Sequence, residues 1–214
     1  MLRAILKQAG RFGAVVLVSV AAIGGYCGYL QYYGNLHTVI PGQVYRSAQP
    51  SAAQIDEYAS EYGIKSIINL RGENDGSPWY DTEIKAADAR GIRHFDFRMS
   101  ARRELSSQRI RELTELMRTA PKPLLIHCKS GADRTGLASV IYLHQIAGVP
   151  DDKAEGQLSL YFGHFSIPLL SQAYAMDASW EKFENTTGFE QLASAEEPAG
   201  SSMSLAAPKP VLGR

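Results

Sequence analysis

His127-Cys128-Lys129-Ser130-Gly131-Ala132-Asp133-Arg134-Thr135-Gly136 places a thiol, a guanidinium six positions later and two glycines in one short run of a 214-residue chain. Such a run can bind and attack a phosphate ester. The backbone N–H groups of Lys129, Ser130, Gly131, Ala132, Asp133 and Arg134 can curl into a nest around three phosphate oxygens, with Gly131 relieving the steric demand of the tight path. Arg134 then returns over the loop and grips two oxygens with its planar fork, a pairing lysine cannot make. The positive surroundings that hold a dianion also favour the thiolate form of Cys128, which is the nucleophilic one. The bland alternative is an inert buried thiol. The register of Gly131, Arg134 and Gly136 with Cys128 speaks against it.

A nest of this kind needs a strand to deliver it and a helix to receive it. Leu124, Leu125 and Ile126 form a short apolar strand that runs into His127-Cys128, and a helix from about Ala132 to Ile146, apolar on nearly all sides, follows. Upstream, Val44-Tyr45 reads as a short edge strand. Ser51 with Gln54 makes a capping box that opens a helix to Tyr62 and Gly63. Ile64 to Leu70 is a buried strand, and a helix of about Asp81 to Arg90 stops at Gly91. Ile92 to Met99 alternates, with His94, Asp96 and Arg98 on one face and Phe95, Phe97 and Met99 on the other. Ser106 to Ala120 is an amphipathic helix carrying Ile110, Leu113, Leu116 and Met117 on its apolar stripe. Asp152-x-x-Glu155 predicts a further capped helix, and residues 171–183 a last one. Strands alternating with helices imply an α/β layer sandwich around a mostly parallel sheet.

The loop resembles the phosphate-binding loop of the cysteine-dependent tyrosine and dual-specificity phosphatase superfamily, with its His-Cys-x5-Arg-Thr-Gly pattern. Val44-Tyr45-Arg46-Ser47-Ala48-Gln49-Pro50 and Ile67-Ile68-Asn69-Leu70-Arg71 extend the likeness to atypical bacterial and fungal dual-specificity members. The resemblance implies a four- or five-stranded sheet flanked by helices, and metal-free, cofactor-free catalysis through a cysteinyl-phosphate intermediate. It implies that Cys128 attacks phosphorus, that Arg134 binds substrate and stabilises the transition state, that Thr135 hydrogen-bonds the sulfur, and that His127 orients the loop from behind.

The general acid is left open among three carboxylates. Glu104, in the loop Ser100 to Leu105, comes first. Asp133, inside the phosphate loop, resembles in its position phosphoinositide-active and related bacterial phosphatases. Asp96 has nearly the family's spacing but lies within a strand. Residues 92–118 hold seven arginines (93, 98, 102, 103, 109, 111, 118) against four acids. They are read as either a basic mouth for an anionic head group or a solvated helix face with pairs such as Arg111 and Glu115. Arg46 and Arg71 are read as loop supports or structural ion pairs, and the remaining histidines as ordinary surface or core residues without metal-ligand spacing.

The N-terminal segment sets the context. Residues 1–12 carry Arg3, Lys7 and Arg11 with no acid, and Gly13 to Leu30 is uncharged and mostly apolar. With Gln31, Tyr32 and Tyr33 the run just crosses a hydrocarbon core of roughly 30 Å. Residues 13–33 are therefore expected to be a transmembrane helix behind a cytoplasmic leader, 1–12, with the rest of the chain on the non-cytoplasmic side. A cleaved signal peptide and a core helix are the alternatives. The folded unit is expected over 37–187, and 188–214, poor in large apolar residues, as a flexible tail. Bases and acids number 22 each, so charge gives no case for a nucleic-acid partner. The expected partners are a membrane and a phosphorylated protein or anionic phospholipid or glycolipid. A phosphate-binding module without catalysis, and a sulfurtransferase, are the competing classes.

Overall fold

The computed structural model describes residues 2–168 and 170–196. Five strands form one sheet in the order β1-β2-β5-β3-β4, with β1 (His37–Ile40), β2 (Val44–Ser47), β3 (Ser66–Asn69), β4 (Arg93–Asp96) and β5 (Leu124–His127). Only β1, beside β2, is antiparallel. All four residues of β2, β3 and β5 are buried, as expected where helices cover both faces of parallel strands.

Three crossovers build the parallel part, and each helix obeys local sequence signals. In α2 (Ala52–Tyr62) the Ser51–Gln54 capping box closes the start and Gly63, at φ 66, closes the end. The helix α3 (Pro78–Ala89) begins with Pro in its first turn, three residues ahead of the expected Asp81. Ser106 caps α4 (Ser107–Thr119) through its hydroxyl, which accepts from Arg109 N–H. After β5 come α5 (Asp133–Ile141), its π-helical continuation Tyr142–Ile146, the single turn α6 (Asp151–Ala154) and α7 (Tyr174–Glu196). One face of the sheet packs Ile55, Tyr58 and Ala87 of α2 and α3. The other packs Ile110, Leu113, Leu137, Val140 and Trp180 of α4, α5 and α7.

Several expectations need correction. The strand at Val44 is interior, because β1 pairs with it and takes the edge. The strand expected to reach Met99 leaves the ladder after Asp96, although Phe97 and Met99 still donate to Asn69 O and Leu70 O. The Asp152–Glu155 signal yields only the turn α6, with Pro150 and not Asp152 at its start, followed by a 3-10 turn. The last helix passes 187 and takes in 188–196, and the rest of the expected tail lies outside the described residues. The unit also begins before 37: Leu30 and Asn35 are 6% and 2% exposed.

At the N-terminus α1 (Leu2–Tyr32) is one continuous helix, within which Gly10–Tyr32 is long and apolar enough to cross a membrane. Ile23, Tyr26, Cys27 and Leu30 are the residues it turns toward the domain, an i, i+3, i+4, i+7 face.

Candidate active site

The parallel strands end on one side, and β5 emerges there between β2 and β3, where the crossovers part to opposite faces. Such a switch point is where open α/β sheets bind ligands. Residues 128–132 bridge β5 and α5 at this point, and the carbonyls of the loop face outward to protein donors. Lys129 O accepts from Gln49 N–H at 3.3 Å. Ser130 O accepts from Gln31 Nε2 at 2.9 Å and Asn35 Nδ2 at 3.0 Å. The Arg46 guanidinium donates to Gly131 O at 2.7 Å and Ala132 O at 3.2 Å. Four consecutive carbonyls held outside leave the N–H side of the loop, continued by the first turn of α5, to face an anion.

Gly131 is indispensable to this path. Its φ is 70, and a Cβ there would lie 2.6 Å from Ala48 N and 2.7 Å from Ser47 O, so both its conformation and its surroundings exclude a side chain.

Arg134 stands in the first turn of α5. Its terminal nitrogen sits 3.3 Å from Leu70 O and 3.4 Å from Met99 O, while Nε is buried without a hydrogen-bond partner. An unpartnered buried guanidinium donor is costly unless a ligand meets it. Cys128 is 1% exposed at the end of β5. Thr135 departs from expectation, since its buried Oγ1 makes no hydrogen bond, to the Cys128 sulfur or to anything else.

Beside Arg134 opens a cleft of ≈ 350 Å³ lined by Arg71, Arg98, Arg102, Arg103 and the 99–101 backbone stretch. The basic stretch thus divides. Arg98, Arg102 and Arg103 make a mouth, whereas Arg109 and Arg118 pair with Glu112 and Glu115 on α4, the latter displacing the expected Arg111–Glu115 pair. Arg71 lies with its guanidinium 3.3 Å above the Trp79 ring and donates to Gln49 Oε1 at 2.6 Å. Burial first, and the like charge of Arg134 second, lower its pKa from the ordinary arginine value.

Behind the loop lies a buried polar chain. Glu83 on α3 is 1% exposed; its Oε1 accepts from His127 Nε2 at 2.7 Å and His94 Nε2 at 2.8 Å, and its Oε2 from Gln49 Nε2 at 2.5 Å. Burial alone would raise this carboxyl, but the His127 imidazole and the three hydrogen bonds outweigh it and hold the group well below the usual carboxylate range. The Glu83, His94 and His127 atoms lie close enough to suggest a metal trio. Their 2.7 and 2.8 Å separations are hydrogen bonds, shorter than the roughly 3 Å or more between donors that share a metal ion.

Arg46 is the other support. It is fully buried, with Phe162 4.0 Å from its guanidinium carbon and Gln157 O and Oε1 at 2.9 and 2.8 Å. Burial pulls its pKa down to about 9, against the charges of Cys128 and Asp133, so the cation persists at neutral pH. The sequence is compatible with Arg46 as either a loop support or an ion pair. A charged residue inside an apolar strand was the available signal.

The three candidate acids fall in different places. Asp96 is committed to Asn69 Nδ2 at 2.8 Å and Tyr80 Oη at 2.6 Å. Glu104 is half exposed, 3.4 Å from Lys182, and outside the set of residues lining the cleft. Asp133, in the phosphate loop, accepts from His164 Nδ1 at 2.7 Å, and His164 Nε2 donates to Asp177 Oδ2 at 3.0 Å.

His164 is therefore not the ordinary histidine its spacing indicated. Burial alone would lower its pKa, but the two carboxylates overcome this and push it up to about 9. A raised folded pKa adds stability that is full below about 6.5 and lost as pH rises through 9, worth on the order of 3 kcal/mol. His164→Gln should accordingly lower the melting temperature markedly at pH 6 and much less at pH 9.5. An equal loss at both pH values would refute the charged bridge.

Comparison with known proteins adds the decisive finding. The model of a tyrosine phosphatase family matches residues 23–155, more than half of the chain. The chain belongs to the tyrosine phosphatase family. Solved structures share the fold of this phosphatase at low identity. TpbA of P. aeruginosa aligns at 21% identity and TM-score 0.52, over 72% of this chain and 92% of its own. SIW14 of S. cerevisiae, a PP-IP phosphatase, aligns at 21% and 0.54, over 72% and 93%. PTPMT1, solved in complex with PI(5)P, aligns at 14% and 0.53, over 71% and 98%. The chain is a cysteine-dependent phosphatase, and its five-stranded, mostly parallel sheet meets the expected architecture.

Proposed function

We propose that this phosphatase is a membrane-anchored phosphomonoester hydrolase that works through a cysteinyl-phosphate intermediate, with protein-tyrosine or dual-specificity chemistry. The observation that supports the reading is the loop whose four carbonyls are bonded outward, flanked by the buried Cys128 and by the buried, unpartnered Arg134 Nε. Cys128 Sγ attacks phosphorus as the ester P–O bond breaks, and the inward N–H groups of 129–134 with Arg134 hold the three equatorial oxygens. Asp133, the one candidate inside the loop, is the carboxyl placed to protonate the departing oxygen; it is paired as Glu104 and Asp96 are, with His164 at 2.7 Å, and must leave that bridge and take up a proton before it acts. Water then cleaves the P–S bond, releasing phosphate and restoring the thiolate. No metal or cofactor is required by these steps.

The three cations of the leader support an α1 that crosses the membrane with the catalytic unit on the non-cytoplasmic, periplasmic side. A second reading on the same chemistry is an envelope lipid or lipid A-type phosphatase, favoured by the arginine mouth. The full chain in detergent should release phosphate from a phosphotyrosine peptide and p-nitrophenyl phosphate. Release from phosphoinositide or lipid A-type phosphate at higher kcat/KM selects the second reading. Absence of release from every ester overturns both in favour of a binding module.

A further inference from the structure

Residues 158–171, Leu-Ser-Leu-Tyr-Phe-Gly-His-Phe-Ser-Ile-Pro-Leu-Leu-Ser, join α6 and its 3-10 turn to α7 without a single acid, lysine or arginine. His164, their one ionisable group besides Tyr161, is 4% exposed and turned inward to Asp133 and Asp177. What the segment shows to solvent is apolar. Leu160, Tyr161, Phe165, Ile167 and Leu170 are exposed by 42, 63, 50, 39 and 82%. A patch of this kind on a domain surface marks a contact.

Its position says with what. Tyr26 Oη on α1 donates to Tyr161 O at 2.7 Å, and Leu160 and Tyr161 share a cleft with Ala22, Ile23 and Tyr26. If α1 spans, its hydrocarbon stretch begins after the last leader cation, Arg11. About 20 residues are needed to cross, which brings the far boundary to Gln31. At about 1.5 Å per residue, Ala22 to Tyr26 then lie some 8 to 14 Å inside that boundary. Leu160 and Tyr161 touch α1 there, below the lipid headgroups. Gln31, at the boundary itself, donates to Ser130 O of the phosphate loop at 2.9 Å.

We infer that residues 160–170 are a second membrane contact, a loop that enters the leaflet around the end of α1 and holds the phosphate loop at the plane of the lipid phosphates. The inference rests on the anchored reading above. The exposed side chains replace water by acyl chain, and the exposed Tyr29 and Tyr32 of α1, with Tyr33 just past its end, supply the interfacial rings. His164 ties the inserted loop to Asp133, so the loop and the catalytic pocket move as one body. Phosphate esters carried on membrane headgroups are the substrates such an arrangement meets first.

Depth measurement tests this on the full chain. With Cys27→Ser and Cys128→Ser in place, an environment-sensitive fluorophore is attached to single cysteines made by Leu17→Cys in the span, Phe165→Cys and Leu170→Cys in the loop, and Asp88→Cys on α3 beside the far-edge strand. The protein is placed in phosphatidylcholine–phosphatidylglycerol vesicles containing lipids with an acyl-chain nitroxide. Probes at 17, 165 and 170 should be quenched about twofold or more and the probe at 88 should not be, as for apolar side chains buried several ångströms into the acyl boundary. Quenching at 17 with none at 165 and 170 overturns the loop contact and leaves the anchor standing. No quenching at 17 overturns the anchored reading and the loop contact with it.

Discussion

Cys128→Ser should abolish phosphate release from p-nitrophenyl phosphate, lowering kcat by at least ~10⁴-fold, because a hydroxyl cannot serve as the nucleophile or the leaving group in this two-step transfer. Anion binding should survive. The cradle is made by the backbone of 129–134 and by Arg134, none of which the change touches, so calorimetric titration with tungstate should give an affinity within a few fold of the parent. A variant that keeps a tenth of the parent rate would remove Cys128 as nucleophile. One that loses both rate and tungstate binding would point instead to a collapsed loop.

The second large effect concerns a residue that never meets substrate. Arg46→Leu removes the buried donor to Gly131 O, Ala132 O and the Gln157 side chain and backbone, leaving several buried acceptors unpaired. Orphaned polar groups of this kind cost about 1–3 kcal/mol each, and a broken buried charged network about 3–5 kcal/mol in all. Thermal unfolding of the full chain in detergent should shift down by roughly 10 °C for a unit of this size. The phosphate loop, with two carbonyls released, should also lose most of its rate. Arg46→Lys keeps the charge but not the fork, and should recover part of the stability with little of the rate. A melting temperature within 2 °C of the parent for Arg46→Leu would refute the role.

The sequence made contiguous chemistry legible and left long-range chemistry hidden. Everything from His127 to Gly136 could be read because thiol, glycine and guanidinium stand in one register, and the strand and helix around them carry their own apolar periods. Helix starts at Ser51 and Ser106 were equally local. Arg46 and the Gly131 carbonyl it holds stand 85 residues apart, His127 and Glu83 44, and His164 and Asp133 31. No periodicity connects such pairs; they meet only when β2, α3 and the 160–170 stretch are folded onto β5. The strand β1 was missed for a related reason, since four residues of mixed burial in His37–Ile40 carry too little pattern to stand apart from a loop. Glu104 is well placed by its loop ahead of α4, yet its partner Lys182 stands on α7, an element whose position no local signal reveals.

Gln31 and, in the turn after it, Asn35 give the N-terminal helix and its exit a part in the catalytic loop that composition conceals. Both donate to Ser130 O, and Asn35 also donates to Phe162 O, while Leu30 fills the space beside Gly163. Removing the helix therefore removes part of the catalytic loop's support. Trimming at residue 37 would strip two of the clasps from the loop and bare the floor beneath it, so the weak turnover of a shortened protein would report the missing clasps and not the enzyme's native power.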